Sequence, residues 1–90
     1  MSRLAVIGAG AMGEALLAGW LASGIKADDV VIVDAYELRV QEVEERHGVT
    51  GVSLAEAAAA DTVVLAVKPH QIAGILGAIR DDLGEETLVV

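Results

Sequence analysis

The sequence contains no cysteine and no phenylalanine, and one each of tryptophan, tyrosine and proline. Without cysteine there is no disulfide framework and no thiolate chemistry, a composition that fits a reducing cytosol. With so few aromatic side chains, Ala, Val, Leu and Ile must fill the interior, as in parallel sheets covered by helices. Positive charge is scarce: Lys and Arg total 6 against 14 Asp and Glu, for a net charge of −8. That balance argues against nucleic acid and anionic membrane as partners. No apolar run approaches a membrane span, and Met1-Ser2-Arg3 leads straight into an apolar strand, where no signal peptide fits. No set of His, Asp and Glu stands out as having metal-ligand spacing, so no metal is expected. Residues 1–90 therefore read as one small cytoplasmic domain, 54% hydrophobic and near the size at which cores become marginal.

What the chain does contain is a glycine fingerprint in a telling place. The apolar run Leu4 to Ile7 enters Gly8-Ala9-Gly10-Ala11-Met12-Gly13, and a helix-forming stretch, Glu14 to Ala22, follows at once. A dinucleotide pyrophosphate needs that order of strand, G-x-G-x-x-G turn and helix. Gly8 allows the tight turn, Gly10 lets the backbone approach the phosphates, and Gly13 lets the helix pack close to the strand. The helix N-terminus offers free N–H groups and the positive end of its dipole. Glycine also punctuates ordinary turns, and the flanking strand and helix give this one its meaning.

The remaining chain alternates strands and helices. The first helix carries Gly13, Leu17, Trp20 and Leu21 on one stripe and stops at Gly24. Ala27 to Asp29 reads as loop, and Val30 to Val33 as a second buried strand ended by Asp34. A helix follows with Tyr36, Val40, Val43 and His47 on its apolar stripe, closed by Gly48. Val49 to Val52 is a poor, glycine-interrupted strand suited to a sheet edge. Ser53-Leu54-Ala55-Glu56 has the form of a capping box and opens a short helix to Ala60. Thr62 to Val67 is the third strong strand. Pro69 suits the first position of a helix whose stripe is Ile72, Ile75, Leu76, Ile79 and Leu83, ended by Gly84. Thr87 to Val90 begins another strand and ends the sequence, which suggests a fragment. The fold expected is α/β: a Rossmann-like, doubly wound parallel sheet in the order 3-2-1-4-5, with helices on both faces.

Few polar residues sit where chemistry is expected. Asp34 lies roughly 20 residues beyond Gly13, at the end of the second strand, where a carboxylate accepts from the adenosine ribose hydroxyls. It repels a 2′-phosphate and so favours NAD(H) over NADP(H). The alternative is a solvated acid in a turn. Arg39 offers either a partner for a 2′-phosphate or an ion pair with Glu42 or Glu37. Lys68 follows the third strong strand, and Ala66-Val67-Lys68-Pro69 either lines the nicotinamide end of the pocket or forms an ordinary turn. His70 reads as a polar residue in a first helical turn, His47 as a helix-end cation, Glu14 as a dipole-favourable surface acid and Ser53 as a helix cap.

Two stretches carry a more specific signal: IGAGAMGEAL, Ile7 to Leu16, and VVLAVKPHQI, Val63 to Ile72. With the Gly48-Val49 step they resemble the N-terminal dinucleotide-binding domain of pyrroline-5-carboxylate reductase, the last enzyme of proline biosynthesis, over essentially the whole chain. Other imine reductases and the 6-phosphogluconate dehydrogenase superfamily are near competitors. A rival of another class is a non-catalytic nucleotide-sensing module, which also uses the fingerprint and a following acid.

The resemblance implies NAD(P)H as cofactor and a cyclic imine acid as substrate of a full-length, homo-oligomeric enzyme. It matches Ile7, Gly8, Ala9, Gly10, Ala11 and Met12 to the pyrophosphate loop, with Gly13 closing the fingerprint. It matches Asp34 and Ala35 to the adenosine-phosphate end, where many members carry small hydroxyl or amide residues, so Asp34 is a departure. Ser53 falls where some members have a cofactor-contacting asparagine, and Ala66, Val67, Lys68 and Pro69 match the segment beside the nicotinamide ribose. The family's substrate site and dimer interface lie largely in a helical C-terminal domain. The 90 residues lack it, so no catalytic residue is named and the chain alone is expected to be inactive.

Overall fold

The computed structural model describes residues 3–79 and 88–89. Among these residues five strands and four α-helices alternate: β1 Leu4–Ile7, α1 Ala11–Ala22, β2 Val30–Val33, α2 Glu37–His47, β3 Thr50–Gly51, α3 Leu54–Ala58, β4 Thr62–Leu65, α4 Pro69–Ile79 and β5 Leu88–Val89. The strands form one sheet in the order β3-β2-β1-β4-β5, and every pairing is parallel.

Strand alternation divides the core. Val6, Val30 and Ile32 face α1 and α2, where Leu17 and Val43 are fully buried against them and Trp20, Leu21 and Val40 pack around the edge. Ala5, Ile7, Val31 and Val63 face the other way, onto Ala57 and Ala58 of α3 and Ile75 of α4. The continuous apolar runs of β1 and β2 follow from this, since both faces are covered. Each fully buried leucine- or isoleucine-sized side chain contributes roughly 1.5–3 kcal/mol. The alanines of α3 let that short helix lie close to the sheet.

The register brings three strand ends to one edge. Ile7 pairs with Val33 on one side and with Leu65 on the other. The chain leaves β1 in one direction to reach β2 and returns on its other side as β4, so the sheet's topological switch point lies at the end of β1. In open α/β sheets this crevice, beyond the carboxyl ends of the strands, is where ligands bind.

Several elements differ from the sequence reading in instructive ways. Helix α1 begins at Ala11, so the last fingerprint glycine lies inside its first turn. Ala27–Asp29 is a single 3-10 turn, closed by the Asp29 amide on the Lys26 carbonyl at 2.9 Å. Tyr36 is not on the core stripe of α2: it is the extended residue before the helix and is 77% exposed. Strand β4 ends at Leu65 rather than Val67, because the chain turns there to pass beside Gly8. Strand β3 is reduced to two residues at the sheet edge, where a Cβ on Gly51 would meet Val40 Cγ1 at 2.4 Å. The stripe residue Leu83, the stop at Gly84, and Thr87 and Val90 at the ends of the last strand lie outside the described residues.

Candidate functional site

The site is built on the turn that leaves β1. Gly8 adopts φ +103°, a left-handed conformation that side chains resist, and its amide donates to the Val33 carbonyl at 2.7 Å. There is no room for a side chain either, since a Cβ would lie 2.7 Å from the Ala66 carbonyl oxygen. Ala9 is fully buried beneath the turn. Gly10 is the N-cap of α1 and contributes no side-chain cap, so the helix N-terminus is left to an outside acceptor. A Cβ on Gly10 would have nothing within 4 Å. Gly13 is the opposite case: its Cβ would stand 2.0 Å from the Gly8 carbonyl oxygen, so α1 rests directly on the turn.

Beside this turn lies a cleft of about 320 Å³ at the strand ends. Of the residues anticipated from sequence, it gathers Ile7, Gly8, Asp34, Ala35 and Val67, and it adds Val33, Tyr36, Leu54, Gln71 and Ile75. Gly10, Ala11 and Met12 are exposed on the turn rather than in the cleft, and the Met12 side chain is 77% exposed. Ala66 packs on the α1–α2 side of the sheet. Lys68 is exposed, and its amide donates to Gln71 Oε1 at 3.2 Å. Pro69 opens α4. Ser53 acts as a cap: its Oγ accepts from the Glu56 amide at 3.2 Å and donates to Glu56 Oε1 at 3.1 Å, outside the cleft lining. Among the described residues, no three His, Cys, Asp or Glu are grouped to hold a metal, and no helix is long and apolar enough to cross a membrane.

Asp34 is engaged in a way its position alone does not reveal. Oδ2 accepts the Ala9 amide at 2.8 Å and Oδ1 accepts the Tyr36 amide at 2.9 Å. The carboxylate thus ties the fingerprint turn to the start of α2. A carboxylate has about four acceptor positions, so two such bonds leave capacity for a ribose diol.

Behind the turn is a charge cluster centred on Glu14. The expectation of a surface acid is wrong: the Glu14 side chain is 12% exposed and meets two arginines and a histidine from α2. Arg39 Nη2 lies 2.7 Å from Oε1, while Arg46 Nη1 and His47 Nε2 lie 2.5 and 2.8 Å from Oε2. Of the alternatives for Arg39, the pairing with Glu42 is present at 3.5 Å. Its Nε also donates to the Ala9 carbonyl at 2.6 Å. His47 likewise does more than suit a helix end. The usable signal was that Glu14 is the lone charge on an otherwise apolar helix, while Arg39, Arg46 and His47 fall on one side of α2.

The hydrogen bond to His47 is the largest influence on Glu14; burial opposes it, and the hydrogen bonds to Arg46 and Arg39 add to it, so that the pKa falls from 4.5 to about 2. A carboxyl depressed in the folded state contributes stability that is full above its unfolded pKa and lost as pH falls through the folded value. The stability difference between wild type and Glu14→Gln should therefore shrink as pH falls from about 4.5 to about 2. Thermal unfolding midpoints across that range measure it. A difference that stays constant would mean the cations do not stabilise the ionised form.

Sheet order, switch-point cleft and glycine turn together define a Rossmann-like α/β protein. A family model described as NADP oxidoreductase, coenzyme F420-dependent, matches residues 3–90, and the chain belongs to this family. It is similar to the pyrroline-5-carboxylate reductase of Mycobacterium leprae, 34% identical over 96 residues that cover 99% of this chain and 33% of that protein. Among solved structures, a pyrroline-5-carboxylate reductase from Coxiella burnetii matches with a TM-score of 0.91 at 32% identity, covering 98% of this chain and 34% of that one. The pyrroline carboxylate reductase of Plasmodium falciparum, solved with NADP bound, matches at 0.81 and 25% identity, covering 98% and 32%. The chain spans about a third of the length of these relatives. The resemblance carried by IGAGAMGEAL and VVLAVKPHQI thus extends over the whole chain.

Proposed function

We propose that this chain is the dinucleotide-binding domain, over residues 1–90, of a cytoplasmic, homo-oligomeric NAD(P)H-dependent imine reductase that converts 1-pyrroline-5-carboxylate to proline. The observation that carries the reading is the open, uncapped α1 N-terminus at Gly10, set beside the switch-point cleft. Gly10, Ala11 and Met12 would present their amides to the pyrophosphate. Asp34 and Ala35 would receive the adenosine ribose, and Ala66 to Pro69 would flank the nicotinamide ribose. Ser53, occupied as a cap on α3, has a weaker claim to a cofactor contact.

When bound, the reduced nicotinamide supplies a hydride for the C=N carbon. The chain's own part is to bind and orient. Hydride transfer needs the imine held about 3–3.5 Å from the donor carbon, and among the described residues no general acid with an orienting partner lines the cleft. Asp34 is the one acidic side chain among the described residues lining the cleft, and each of its oxygens already accepts one backbone amide. Positioning of the imine would thus fall to residues beyond these 90, and the chain alone would be inactive.

The Asp34 charge favours NADH over NADPH in this reading. Calorimetric titration of both cofactors tests it, with Asp34→Asn as the comparison because Asn keeps one acceptor oxygen for the Ala9 amide. NADH should bind more tightly to wild type, and the substitution should narrow the preference by about fivefold, the worth of one repulsive contact of about 1 kcal/mol between water-screened charges. Binding of neither cofactor defeats the reading. An unchanged ratio would show that Asp34 serves the turn and does not face the ribose.

A further inference from the structure

We infer that Arg39 is a positioning residue that aims the Gly10 amide of the glycine turn, and is not a reader of a cofactor 2′-phosphate. The inference rests on the dinucleotide reading above. Arg39 lies on α2, yet its Nε donates to the carbonyl of Ala9, in the turn after β1, at 2.6 Å. The Ala9 carbonyl and the Gly10 N–H belong to one peptide unit, which is planar and trans, so the two groups point in opposite directions. Holding the carbonyl towards α2 turns the Gly10 N–H away from α2, at an exposed residue whose Cβ position is open.

The preceding peptide follows the same rule. Its N–H, on Ala9, is held by Asp34 at 2.8 Å. Its carbonyl, on Gly8, then faces α1, so closely that a Cβ on Gly13 would lie 2.0 Å from it. Two successive peptides of the turn are thus anchored on the β2–α2 segment, one by a carboxylate and one by a guanidinium. A charged donor on the Ala9 carbonyl also polarises the unit and strengthens its N–H as a donor.

Arg39 is poorly placed to read a phosphate. Its remaining nitrogens meet Glu14 at 2.7 Å and Glu42 at 3.5 Å. An incoming phosphate would have to displace one carboxylate and approach both. Glu14 is itself held by Arg46 and His47, so the guanidinium is braced from behind. The planar fork matters: lysine keeps the charge, but as a point charge on a flexible stem it does not bridge the Ala9 carbonyl and Glu14 at once.

Titration of NADH and NADPH into wild type and Arg39→Lys, with amide exchange on the ligand-free proteins, tests the inference. Both cofactors should weaken by the same factor, about tenfold, the usual worth of a hydrogen bond to a charged group. Amide exchange should quicken at Ala9 and its neighbours in the turn while Val6 and Ile32 keep their protection. Glu14→Gln, which leaves Arg39 in place but loosens its brace, should show the same pattern at smaller size. A loss confined to NADPH, undiminished binding of both cofactors, or exchange raised throughout the sheet would each overturn the inference and leave the dinucleotide reading standing. A wild-type protein that binds neither cofactor would overturn both.

Discussion

Gly10→Val should lose dinucleotide affinity by at least about a hundredfold, roughly 2.7 kcal/mol, while the protein stays folded. The two halves of this expectation come from separate observations. Gly10 has φ −72° and ψ −169°, an extended conformation open to any residue, and nothing stands within 4 Å of a Cβ built there. Valine therefore costs the free protein little beyond a poorer N-cap, about 0.5–1 kcal/mol. In the proposed reading the same open space is where the pyrophosphate would meet the first amides of α1, and a branched side chain would fill it. Calorimetric titration with NADH, paired with a thermal melt of the variant, separates binding from folding. A folded Gly10→Val protein with near-normal affinity would mean that the phosphates do not lie against this turn.

The legible parts of the molecule were those where a local rule has a single outcome. Leu4 to Ile7 and Val30 to Val33 are continuous apolar runs, and both are strands covered on both faces. The glycine spacing read correctly as a turn into a helix because each glycine answers a different steric demand, which the geometry at Gly8 and Gly13 bears out. Less legible were interactions that depend on how two helices rotate against each other. The pairing of Glu14 with Arg39, Arg46 and His47 joins residues 25 to 33 positions apart, through side chains whose reach no periodicity encodes. The bonds of Asp34 to the Ala9 and Tyr36 amides depend likewise on the local path of two turns. Tyr36 departs from its pattern for a simpler reason: its spacing to Val40 fits a helix, but the helix begins one residue later.

Gly13→Ala should be among the most destabilising single-methyl changes in the chain, and Gly19→Ala on the same helix should have the opposite sign. At Gly13 the added Cβ would stand 2.0 Å from the Gly8 carbonyl oxygen and 3.1 Å from Val6 Cγ1. The obstacle is backbone of the turn on one side and a fully buried core side chain on the other, so relief requires α1 to move away from β1. Overpacking of this kind costs about 1–3 kcal/mol or more. In a chain of this size, where each kcal/mol shifts the midpoint by roughly 4–8 °C, the unfolding temperature should fall by roughly 4–24 °C. Lifting α1 also displaces the Gly8 carbonyl and the amides it orders, so dinucleotide affinity should fall together with stability. Gly19 lies on the exposed side of α1 with nothing within 4 Å of its Cβ position. There alanine should gain about 0.5–1 kcal/mol through helix propensity and a less disordered unfolded chain, with cofactor binding unchanged. Thermal unfolding of the two variants beside wild type decides the matter. Equal midpoints for Gly13→Ala and Gly19→Ala would mean that α1 does not rest on the glycine turn.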